Sequence, residues 1–134
     1  MASGVYNCFK EDCMTKTVNL SSDTIKVGLL NNSHAFTATN TVWSDVSANE
    51  VSGAGYSTGG GTMSGKAVTV GATTKWTATD QAWGASTITA YHAVIYDTSN
   101  SNSLIASIDF GGAKVSSSGT FTIQWAGAGI ITIA

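Results

Sequence analysis

The chain has 134 residues, enough for one compact domain with its own hydrophobic core. Only 10% of them are charged, well below the roughly 25% of ordinary soluble domains. The net charge is −2, and all six basic residues are lysine, so there is no basic cluster to hold nucleic acid. No apolar run reaches the length of a membrane span, and no apolar signal segment precedes Glu11 and Asp12.

Thr, Ser, Ala and Gly supply much of the rest. That composition fits a β-protein with hydroxyl-clad outer faces. It equally fits a protein that covers its surface with copies of itself or with a partner. Cys8 and Cys13 are five apart, on a helix too far apart to bridge. Free thiols fit synthesis in a reducing cytosol.

Ser3 to Lys16 is the only credible helix, with Ser3 as cap and Val5, Phe9 and Cys13 along one stripe. A helix this short must dock, either on its own β-domain or on a neighbouring subunit. Thr24 to Leu30 is a strand with Ile25, Val27 and Leu29 on one face. Asn31 to Thr41 is a polar loop around Phe36, with His34 as a solvated residue.

Trp43 to Val70 is an ordered connection pinned by Trp43 and Tyr56. Within it Ser47 and Glu50 have capping-box spacing, and Gly59-Gly60-Gly61 is a bend. Gly60 to Ala67 fits the spacing of a phosphate loop but puts Ala67 where Ser or Thr would hold Mg²⁺. An alternating β-pattern follows it instead of a helix, so the stretch reads as a Gly-rich turn.

Lys66 to Val70 and Thr74 to Thr79 form a hairpin. Asp80 to Ala82 is a turn before Trp83. Thr87 to Asp97 is the longest strand, covered on both faces, with His92 half-buried. Thr98 to Ser103 is a polar tip. Leu104 to Phe110, Thr120 to Trp125 and Ile130 to Ala134 are strands, separated by turns at Gly111-Gly112, Ser116 to Gly119 and Gly127 to Gly129. Short strands at this spacing predict an all-β fold: one antiparallel β-sandwich or jelly-roll-like domain with a short N-terminal helix. Residues 1–20 form the helix or arm and residues 21–134 the sandwich.

The catalytic inventory is short. Neither histidine has a suggestive Ser, Cys or Asp nearby in sequence. Glu11-Asp12 reads as a solvated helix face, and Asp97 with Asp109 is the best candidate for a distant acid pair. There is no Cys/His zinc spacing and no acidic calcium loop. The residues predict a non-enzymatic structural or binding module with no catalytic residues, metal or cofactor.

Five segments resemble a family of small tailed-phage virion proteins: YNCFKEDCMTKTVNLSSDTIKVGLL, WSDVSANEVSGAGYSTGGGTMSGKAVTV, YHAVIYD, LIASIDFG and GTFTIQWAGAGIITIA. They cover nearly the whole chain in order. Cys8 and Cys13 depart from the usual helix residues, and the middle loops are shortened. The resemblance implies a capsid decoration or cement protein on the capsid exterior, made in the host bacterial cytoplasm. It implies a homotrimer bound to the phage major capsid protein. The expected gripping end is the N-terminal segment, through Val5, Tyr6 and Phe9, with Thr98 to Ser103 facing out. The alternative is a tail-fibre domain that binds a receptor or glycan through Trp43, Tyr56 or Trp83.

Overall fold

The computed structural model describes residues 3–134, so the first two positions of the arm lie outside the described residues. It is built around one long hairpin. In chain order the elements are β1 (Gly4–Val5), α1 (Asn7–Met14), β2 (Ile25–Leu30), β3 (Gly61–Thr62), β4 (Ala67–Thr69), β5 (Thr74–Thr77), β6 (Gln81–Asp97), β7 (Ser103–Ile123) and β8 (Ile131–Ile133). One antiparallel sheet has the order β1-β7-β6-β2-β3, and a smaller one β4-β5-β8. The expected all-β, sandwich-like domain with one short helix is what the chain forms.

The helix is shorter than predicted. Gly4 and Val5 are extended and pair with Ser107 and Ala106 of β7, so the helix starts only after Tyr6. The Ser3 hydroxyl does not cap it but accepts from the Asp109 N–H at 2.8 Å.

β2 behaves as its alternation demands. Ile25, Val27 and Leu29 enter the main core with Ala93, Ile95, Ile105, Trp83 and Phe121. On the other side, Leu30 joins a second cluster with Tyr6, Val46, Val94, Tyr96 and Leu104. Burying apolar area on both faces makes this end of the hairpin the best-anchored part of the sheet.

Three predicted turns do not reverse the chain. Gly111-Gly112 and Ser116 to Gly119 both lie inside the continuous strand β7, and Asp80 to Ala82 runs straight into β6. Ala90 pairs with Lys114 while His92 pairs with Asp109, so β7 bulges outward over Phe110 to Ala113. Gly111 and Gly112 take φ of 78° and 149° there, which glycine adopts without a Cβ penalty. The same irregularity rotates β6. Ile88 and Ala90 before it, and Ala93 and Ile95 after it, all face the main core.

The connection from Trp43 to Val70 is pinned as expected, by different bonds. Trp43 stacks on Tyr96, with ring centroids 4.4 Å apart. The Tyr56 hydroxyl donates to Glu50 at 2.7 Å and accepts from the Leu29 N–H at 3.0 Å. Glu50 also takes the Gly59 N–H at 2.6 Å, so its carboxylate serves this bend and closes no capping box. Residues 60–67 form β3 and a turn, with no helix for a phosphate to meet.

Candidate functional site

The N-terminal arm lies on the chain's own sheet. Tyr6 is 0% exposed and Phe9 4%, and Val5 packs against the main core. The Tyr6 and Phe9 side chains are therefore not presented to a neighbour in this conformation, whereas Val5 is only half-buried. Tyr6 donates its N–H to Ile105 O at 3.1 Å and Asn7 donates to Ala38 O at 3.0 Å. The arm is thus held between β7 and the loop that follows β2. Phe36 of that loop lies 5.0 Å from the Tyr6 ring and fills the space where a side chain at Gly4 would stand.

The helix does not lie opposite the hairpin tip, as the gripping-end layout supposed. Asp12 accepts from Asn100 Nδ2 and Ser103 Oγ, each at 3.0 Å. Helix and tip therefore occupy one end of the molecule, and Asp12 belongs to their contact and not to a solvated face. Met14, 89% exposed, is the large apolar side chain this end offers outward.

His34 is buried, not solvated. It is 1% exposed, and its Nε2 lies 3.0 Å from Ser107 Oγ. Its ring sits edge-on to His92, centroids 5.0 Å apart. His92 is 3% exposed, with Nδ1 3.9 Å from the Asp109 carboxylate. Burial, and after it the neighbouring imidazole, lowers the His34 pKa to about 4. Burial also lowers His92, against the opposing pull of Asp109. Both rings are neutral near pH 7. The Tyr6 hydroxyl is buried beside Ser107 without a well-formed hydrogen bond, and burial pushes its pKa up to about 12. Tyr6, Ser107, His34, His92 and Asp109 thus form one polar cluster beneath the arm. Ser107 is 1% exposed, so no substrate reaches the Ser–His contact.

Asp97 and Asp109 are not brought together. Asp109 faces His92, whereas Asp97, 1% exposed, lies against Asp23. Burial and then the hydrogen bond to Asp23 push Asp97 up to about 7. The same bond holds Asp23 below the usual carboxylate range. Asp97 Oδ2 is buried without a well-formed hydrogen bond, so the neutral, protonated form is the one that suits Asp97. Among the described residues no three His, Cys, Asp or Glu side chains are placed to hold a metal, and no helix is long and apolar enough to cross a membrane.

The aromatics proposed for a glycan are occupied internally. Trp83 is 6% exposed, Trp43 is stacked on Tyr96, and the Tyr56 hydroxyl is bonded on both sides.

The exposed apolar residues lie elsewhere. Val70 is 85% exposed, Ile133 66% and Val68 46%, all on or beside the small sheet. Val115 on β7 is 66% exposed. It borders a groove of about 550 Å³ lined also by Ile108, Phe110, Phe121 and Ile123. β1 meets β7 only at Ser107 and Ala106, so beyond the bulge the outer edge of β7 has no strand beside it among the described residues. The paired stretches 81–90 and 114–123 carry one charged residue, Lys114. No family model, curated protein or solved structure matches the chain.

Proposed function

We propose that this is a non-enzymatic virion structural protein that decorates the phage capsid, acting as a homotrimer on the shell of major capsid protein. The observation that carries the reading is the bare half of the hairpin. Its outer face presents Thr87, Thr89, Thr120 and Thr122, all exposed, and the β7 edge is open; Lys114, the one charged residue of the two stretches, pairs with core-facing Ala90 on the other face. Monomeric sheets guard such edges with charges, proline or cover. A surface lacking them suits close packing against copies of the same chain or a capsid lattice. The sequence resemblance supplies the identity of that lattice.

The test is direct. Purified protein is mixed with capsids of its phage that lack it, and the particles are sedimented. Saturable binding at hundreds of copies per particle, with a raised melting temperature of the shell, is the expected result. No binding at micromolar protein refutes the proposal, as does a native copy number of a few dozen or fewer, which would put the protein in the tail.

A further inference from the structure

We propose that the buried His34–His92 pair is an acid-operated latch holding the N-terminal arm on its own sheet. The latch stands on geometry at the arm and does not depend on the virion reading.

The arm is covered from outside by the loop at 31–41. Phe36 packs on Tyr6, Gly4 has no room for a side chain beneath Phe36, and Ala38 accepts the Asn7 N–H. That loop has one buried polar anchor, His34, which reaches Ser107 Oγ on β7 at 3.0 Å. Gly4 of the arm pairs with the same Ser107 through the backbone. One residue of β7 therefore holds both the arm and the loop that covers it.

A neutral imidazole satisfies this site. A charged one does not, because it is buried, its Ser107 partner carries no charge, and a second imidazole lies 5.0 Å away. The titratable groups facing the pair are Asp109 from β7 and Tyr6 from the arm. Asp109 favours a first proton on His92. That proton then opposes a second on His34, which leaves its pocket to be hydrated when it charges. As His34 leaves, Phe36 leaves with it, and Tyr6 and Phe9 come free as an apolar stripe. Acidification therefore converts a covered arm into an exposed apolar one.

The sign follows from linkage. The folded-state pKa of His34, about 4, lies below the ordinary 6.5. The latch is whole above pH 6.5, weakens as pH falls from 6.5 to 4, and is lost below 4.

Hydrogen exchange of the full chain, corrected for intrinsic rates, measures this segment by segment. Between pH 7 and 4.5, protection of residues 4–12 should fall about tenfold or more while that of residues 93–96, in the centre of the sheet, holds. In His34→Gln and His92→Gln the fall should shrink severalfold. An arm equally protected at both pH values overturns the proposal, as does loss of protection across the whole sheet at once. Proton NMR titration of the wild-type chain keeps the test open if the variants misfold. A His34 pKa below 5 is expected, and a value near 6.5 refutes the latch.

Discussion

Individual side chains in this molecule matter most where they settle buried polarity. Asp97 is the sharpest case, since its buried carboxyl lies against Asp23 at the foot of the hairpin tip. Its folded-state pKa of about 7 exceeds the ordinary 3.8, so its contribution to stability is whole below pH 3.8 and lost as pH rises through 7. Asp97→Asn keeps a donor toward Asp23 and an acceptor for the Ser99 N–H without needing a bound proton. The variant should be more stable than wild type at pH 8, with the difference shrinking or reversing toward pH 5, as read from urea midpoints at each pH. A constant difference across that range would show that the carboxyl does not titrate there. His34 pulls the opposite way between pH 6.5 and 4.

At the scale of elements, the hairpin depends on how its irregularities are closed. Around Ser86 the register slips. Ser86 Oγ lies 2.9 Å from Ser116 Oγ and bonds to Trp83 O, while Ser116 Oγ accepts the Ile88 N–H at 3.1 Å. Ser116→Ala leaves that N–H buried without a partner and should cost about 1–3 kcal/mol in chemical denaturation; a cost under about 0.5 kcal/mol would show that water or backbone replaces the bond. These knots also explain what was legible in the sequence. β2, β4, β5 and β8 stood out because apolar and polar residues alternate between clear turn signals. Gly111-Gly112 and the Ser116 to Gly119 stretch were misread because the residues that permit a reversal also permit a bulge. The arm's stripe was visible in Val5 and Phe9, but a stripe does not say whose sheet it covers. The histidine cluster was invisible for a plainer reason. His34 and Ser107 are 73 positions apart, and nothing near either one in the chain marks the other.

For the molecule as a whole, the scarcity of charge sets the physics of association. If copies meet through the bare hairpin and the small sheet, contact is apolar and hydroxyl-based, so screening has little to act on. Sedimentation equilibrium should give dissociation constants that agree within about threefold between 0.05 and 0.5 M salt. Ile133→Lys or Val70→Lys, at positions already exposed to solvent, should weaken assembly without loss of fold. A strongly salt-dependent equilibrium, or a monomer at every concentration, would remove self-association from the account. The hairpin also fixes an order of events during folding. Its strands are neighbours in the chain, joined across residues 98–102, so they can zip from the tip with little loop to close. Ser3 must find Asp109 from 106 positions away, so the arm is the last piece to arrive. With no proline anywhere in the chain, no slow isomerisation masks that late step. A nascent copy therefore passes through a stage in which its sheet is built while its first segment is still at large.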